Sequence, residues 1–172
     1  MKNTDTKEKI LGLLFNFPLR TFHIREISRI LNISAPSISK AVKKLEKESM
    51  IISKKGVVYE IKANIDNLDF KQSKRAHNLK SVYDSGLFNY LYENFQLDNI
   101  ILFGSYSKGE DTEKSDVDIA IESKEKNLEL SKYEEKINRR INIEFIDFSK
   151  LKKELKESII NGIILSGYIT LK

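Results

Sequence analysis

The chain of 172 residues contains no cysteine. Disulfides, thiolate zinc sites and cysteine nucleophiles are therefore excluded. Long hydrophobic runs are missing too: no apolar stretch approaches the ~20 residues that a membrane-spanning helix needs. The opening residues, MKNTDTKEKI, lack the apolar core of a secretory signal. The expectation is a cytoplasmic protein with no membrane association. Histidine is scarce: His23 and His77 have no partner at a spacing useful for catalysis, so both read as packing or surface residues. With 40% hydrophobic and 32% charged residues, the composition is that of a globular chain rather than a disordered one.

The formal net charge is +5, and it is unevenly spread. Residues 1–65 hold 13 Lys+Arg against 6 Asp+Glu, a local excess of +7, whereas residues 66–99 and 100–172 each come to −1. A basic excess confined to the first third suggests that this part meets a polyanion.

The same third reads as helices followed by a hairpin. Ile10, Leu11, Leu13, Leu14 and Phe17 recur at helical spacing over 5–17, with Asp5 and Glu8 placed at the helix start and Pro18 at its end. A second helix fits 24–31, with Ile24, Ile27, Ile30 and Leu31 assigned to one face. After Asn32-Ile33, Ser34 can cap a third helix over 34–48 whose Ile38, Ala41, Val42 and Leu45 form a single buried stripe. Two β-rich runs then flank Lys54-Lys55-Gly56, the signature of a hairpin.

Three helices plus a hairpin resemble a winged helix-turn-helix domain, spanning residues 1–65. The resemblance implies double-stranded DNA as partner, with the third helix entering the major groove. Opposite its apolar stripe that helix offers Ser34, Ser37, Ser39, Lys40, Lys43 and Lys44, hydroxyls and cations suited to phosphates and base edges. Lys54 and Lys55 at the hairpin tip suit phosphates or a minor groove. Arginine, the commonest reader of guanine, is absent from this face, which points to modest sequence discrimination. A helical spacer is expected over 66–85, because residues 66–98 carry no proline and one glycine.

Chemistry is expected in residues 86–172. Ile100–Phe103 is a short apolar run that ends at Gly104-Ser105. A glycine at a strand end lets the backbone approach a ligand, and the serine hydroxyl can hold phosphate oxygens. Gly104 and Gly109 have P-loop spacing, but Glu110-Asp111 stands where that motif needs Lys-Ser/Thr, and two carboxylates would repel the phosphates. Ten residues after Ser105 comes Asp116-Val-Asp118-Ile-Ala-Ile, again strand-like. Alternation puts Asp116 and Asp118 on one strand face, where they can share hard cations such as magnesium. Taken alone, Asp-x-Asp is more often a pair of ordinary aspartates on a solvent-facing edge strand.

Gly-Ser, ten residues, then Asp-x-Asp between apolar strands resembles the signature of the DNA polymerase β-like nucleotidyltransferase superfamily, in particular its minimal nucleotidyltransferases. Gly104, Ser105, Gly109, Ser115, Asp116 and Asp118 match that pattern. The resemblance implies an α+β fold, here a winged helix-turn-helix followed by a mixed β-sheet with flanking helices. It also implies a magnesium-dependent enzyme with two Mg2+ ions, a nucleoside triphosphate substrate, ATP, and transfer of AMP to a macromolecular hydroxyl. Asp116 and Asp118 would be catalytic and metal-binding; Gly104, Ser105, Lys108 and Ser115 would hold nucleotide. A third carboxylate is expected from a later strand, with Glu144 first and Asp147 in reserve, acting as metal ligand or base. Lys108 stands where many relatives carry arginine, which keeps the charge and loses the planar fork. Some minimal nucleotidyltransferases are antitoxins that modify a HEPN-type toxin, so such a toxin is an expected partner, and a homodimer the expected assembly. The rival expectation is a transcription regulator whose nucleotidyltransferase fold only senses nucleotide.

Overall fold

A computed structural model describes residues 6–54, 56 and 59–169. The chain divides into two compact units, Met1–Lys74 and Arg75–Lys172.

In the first unit, α1 (Thr6–Asn16) leads to a two-residue strand β1 (Phe22–His23), which runs directly into α2 (Ile24–Leu31). Next come α3 (Ala35–Lys47) and the hairpin strands β2 (Ile51–Lys54) and β3 (Glu60–Ala63). The sheet order is β1-β3-β2, all antiparallel, with Phe22 opposite Ile61 and Ile52 opposite Lys62. This is a winged helix-turn-helix. Its core joins Ile10, Leu14 and Phe15 of α1 to Ile27 of α2 and to Ile38, Ala41, Val42 and Leu45 of α3, the stripe expected from spacing.

Two details differ from the sequence reading. Ile30, assigned to the buried face of α2, is 48% exposed. At ~100° per residue it lies well round from the stripe that Ile24, Ile27 and Leu31 make. The strand β1 gives no sequence signal, because two residues are too few to show alternation; His23 also starts α2, where Glu26 reaches back to accept its backbone N–H at 3.3 Å. Asp5, expected at the start of the first helix, lies outside the described residues.

The helix α4 (Leu68–Asp84) runs through the division between the units. Asn67 caps it, its side-chain oxygen accepting the Phe70 amide at 2.9 Å.

The second unit continues with α5 (Leu87–Asn94), β4 (Ile100–Phe103), α6 (Gly104–Lys108), β5 (Val117–Ile121), α7 (Ser131–Ile137), β6 (Ile141–Phe145), α8 (Lys153–Ile160) and β7 (Ile163–Ser166). The sheet order is β6-β5-β4-β7, with β4 antiparallel to both neighbours and β5 parallel to β6. Each face buries its own core. Ile100, Leu102, Val117, Ile119, Ile121 and Ile141 pack with Leu87, Leu91, Tyr133 and Ile137. Ile101, Phe103, Ala120 and Ile146 pack with Ile159 of α8. The mixed sheet flanked by helices is the α+β arrangement expected. The pattern over 158–164 suggests a helix end stopped at Gly162; the helix does end there, but Ile163 begins a strand, which the periodicity of one apolar run does not reveal.

Candidate functional site

The site begins where β4 ends. All four residues of β4 are buried, and Phe103 lies opposite Asp118 of β5. The chain then turns at Gly104, whose φ is +71°. A Cβ here would collide with Asp118 Oδ2 and lie 3.3 Å from Asp118 Cγ. Gly104 is thus required twice, by its backbone angle and by the carboxylate packed against it. Ser105 is half-buried at the start of α6. That helix closes after one turn at Gly109, also left-handed at φ +73°, and Lys108 on its last turn is exposed.

The loop from Gly109 to Asp116 is tied down from below. Asp111 is buried, and Asn78 donates to its Oδ1 at 2.7 Å and to the Tyr106 carbonyl at 2.9 Å. Arg139 Nη2 lies 3.7 Å from Asp111 Oδ2, with both side chains at most 3% exposed. Burial, with the Asp111 carboxylate nearby, pushes the Tyr106 hydroxyl up to about 12. Ser115 Oγ accepts the Thr112 amide at 2.9 Å, and the Ser115 amide donates to the Thr112 carbonyl at 3.1 Å, which folds the loop into a tight turn just ahead of Asp116.

Asp116 is exposed immediately before β5, and Asp118 is half-buried within it. Asp118 shares its sheet face with Phe103 and Ala120. Its partner across the parallel pair is Asn142, while Glu144 lies opposite Ala120. Asn142 Nδ2 donates to Asp118 Oδ1 at 3.2 Å and to Glu144 Oε1 at 3.4 Å. Asp147 lies beyond the strand. Its Oδ1 accepts the Ser149 hydroxyl at 2.6 Å and amide at 3.0 Å, and Lys150 Nζ sits 2.8 Å from Oδ2. Hydrogen bonds from Lys150 and Ser149 hold its carboxyl down at about 2. Asp147 sits in a local turn beyond β6, and Glu144 shares the sheet face of Asp118.

Among the described residues, no group of three or more His, Cys, Asp or Glu side chains is gathered closely enough to hold a metal ion. The donor chemistry still fits magnesium, which binds through one or two carboxylates plus substrate phosphates and water. Asp116 and Asp118 are the carboxylates that could take that part, and Asp118 Oδ2 lies against the bare Cα of Gly104. A cleft of about 450 Å³ opens beside Asp116, between the 113–116 loop and the end of α7, and Lys114, Ser115, Glu135 and Arg140 line it.

In the first unit, Ser34, Ser37, Lys40, Lys43 and Lys44 of the α3 region are exposed and Ser39 is half-buried. Ser34 and Ser37 hydroxyls pair at 2.8 Å across the first turn. Lys54 is exposed; Lys55 lies outside the described residues.

Sequence reasoning misses three features. Arg139 is buried against Asp111, a partner 28 residues away in sequence. Asn142 faces Asp118 only because of the parallel register, which no local pattern encodes. Arg25 and Arg29 of α2 are exposed, and their positions off the apolar stripe are the signal that could have found them.

Residues 86–168 match the family described as "Polymerase beta, Nucleotidyltransferase". A protein of Methanocaldococcus jannaschii named "Putative protein adenylyltransferase" is 46% identical over 54 residues, covering 27% of this chain and 54% of that protein. The chain thus spans about half the length of the curated relative it matches. The solved adhesin competence repressor (AdcR) of Streptococcus pyogenes is 24% identical, covers 55% of this chain and 69% of its own, and superposes with a TM-score of only 0.38. No helix among the described residues is long and apolar enough to cross a membrane.

Proposed function

We propose that the second unit transfers a nucleoside monophosphate, AMP, from a nucleoside triphosphate to a hydroxyl on a macromolecule, and that the first unit docks on double-stranded DNA. The observation that carries the transfer reading is the packing of Asp118 against the Gly104-Ser105 bend, in residues that match a nucleotidyltransferase family. The relative's printed name supports AMP as the group moved and a protein as its acceptor. A HEPN-type toxin as that acceptor, and a homodimeric assembly, extend the same reading by analogy.

The reaction is in-line attack. The acceptor oxygen bonds to the α-phosphorus, the bond from that phosphorus to the bridging oxygen of the β-phosphate breaks, pyrophosphate leaves, and the acceptor's proton passes to a base. Gly104 lets the triphosphate approach the backbone, and Ser105 offers a hydroxyl to its oxygens. Lys108 adds positive charge to the same short helix. Asp116 and Asp118 would hold Mg2+, which when bound would offset charge on the triphosphate and the departing pyrophosphate. Glu144, on the face of Asp118, is the candidate base.

For the first unit, the support is the winged fold, the +7 charge of residues 1–65 and the exposed serines and lysines of α3. A second reading, nucleotide sensing without transfer, is favoured by one observation: the residue directly across from Asp118 is an amide, not a carboxylate.

The test is incubation with each α-labelled nucleoside triphosphate, Mg2+ and cell lysate, beside an Asp116→Ala/Asp118→Ala control. Label on a macromolecule that vanishes in the control supports transfer. Nucleotide binding with no label transferred would favour the sensor and overturn the enzyme.

A further inference from the structure

Asn142 belongs to none of the residue types expected to act here, yet it touches two of the acids. The parallel register sets it directly across from Asp118, and its side-chain Nδ2 donates to Asp118 Oδ1 at 3.2 Å and to Glu144 Oε1 at 3.4 Å. Asp118 is therefore gripped from two sides: Oδ1 takes the amide of Asn142, while Oδ2 faces the bare Cα of Gly104. A carboxylate with one oxygen tied and the other lodged in a cradle has a fixed rotamer. Without the amide, two carboxylates on neighbouring strands would repel one another with no donor between them.

We propose that Asn142 is a positioning residue. Its amide bridges Asp118 and Glu144, holds the two carboxylates at one spacing, and so presents Asp118 Oδ2 to a divalent cation beside the Gly104 bend. The proposal rests on the nucleotidyltransferase reading, and it adds that the bridging position is an amide donor. Donors that orient ligating carboxylates are commonly worth 10–100-fold in metal affinity or activity when removed. The side chain of Asn142 is exposed, so its removal leaves the apolar cores on both sheet faces intact.

The experiment titrates full-length protein with Mn2+ in the presence of a non-hydrolysable nucleoside triphosphate analogue. Protein-bound ion is read by electron paramagnetic resonance against a protein-free sample of Mn2+ and the analogue, and melting temperature is recorded in parallel. Four proteins are compared: wild type, Asn142→Ala, Asn142→Ser and the Asp116→Ala/Asp118→Ala double variant. The expected result is a dissociation constant roughly tenfold weaker in Asn142→Ala, an intermediate value in Asn142→Ser, which keeps one donor, and no bound ion in the double variant. Melting temperatures without Mn2+ should agree for wild type and both Asn142 variants. If wild type binds Mn2+ through the aspartates and both Asn142 variants bind it equally well, the positioning role is overturned while the nucleotidyltransferase reading stands. If wild type binds no Mn2+, or the double variant binds it as wild type does, both fall.

Discussion

Gly104→Ala places a single methyl where the structure has least room. The backbone angle of +71° is left-handed, a conformation that costs a residue with a Cβ about 1–2 kcal/mol. The methyl would also overlap Asp118 Oδ2 and crowd Cγ at 3.3 Å. Relief requires Asp118 to rotate off Asn142 or β4 to separate from β5, and such overpacking costs about 1–3 kcal/mol. The sum, ~2–5 kcal/mol, is within the ~5–15 kcal/mol of a folded domain, so the variant should fold and melt early. Activity should suffer more than stability, because a displacement of ~1 Å at a reacting centre costs about 100-fold. Denaturant titration would measure the first effect and α-labelled nucleotide transfer the second. A variant within about 0.5 kcal/mol of wild type, with full transfer, would refute the claim that Asp118 is seated against this glycine.

Other outcomes follow from the same geometry. Tyr106 stays protonated in the fold up to about pH 12, against 10 when exposed. Its contribution is therefore complete below pH 10 and is lost as pH rises from 10 to about 12, ~2–3 kcal/mol in all; Tyr106→Phe should flatten that alkaline limb in pH-dependent denaturation. Asp111→Ala removes the carboxylate that meets the buried Arg139 guanidinium and accepts from Asn78, and should cost about 3–5 kcal/mol by denaturant titration, far more than any surface ion pair such as Lys153–Glu157. Replacing Lys40, Lys43 and Lys44 with alanine should weaken binding to duplex DNA and lower the slope of log K against log salt by about 0.9 for each phosphate that is no longer neutralised. An unchanged slope would contradict docking through α3.

Much of this architecture is legible because it is local. The stripe Ile38, Ala41, Val42 and Leu45 announces α3, since each step of three or four residues returns to one helix face. The apolar runs at 100–103 and 117–121 announce β4 and β5, and Gly104 at the end of the first marks the turn. What stays hidden depends on pairing at a distance. The register of β6 on β5 decides that Asn142, not Glu144, stands across from Asp118. Burial of Arg139 depends on Asp111, which a sequence pattern reads as one more loop carboxylate. That Asp147 is drawn into a turn with Ser149 and Lys150 depends on side-chain contacts that no pattern encodes.

The most direct measurement is a crystal structure with Mg2+ and a non-hydrolysable ATP analogue. The account predicts the triphosphate in the bend of Gly104 and Ser105, with the cation on Asp118 Oδ2 and Asp116. Nucleotide bound elsewhere, or a cation that ignores both aspartates, would contradict it.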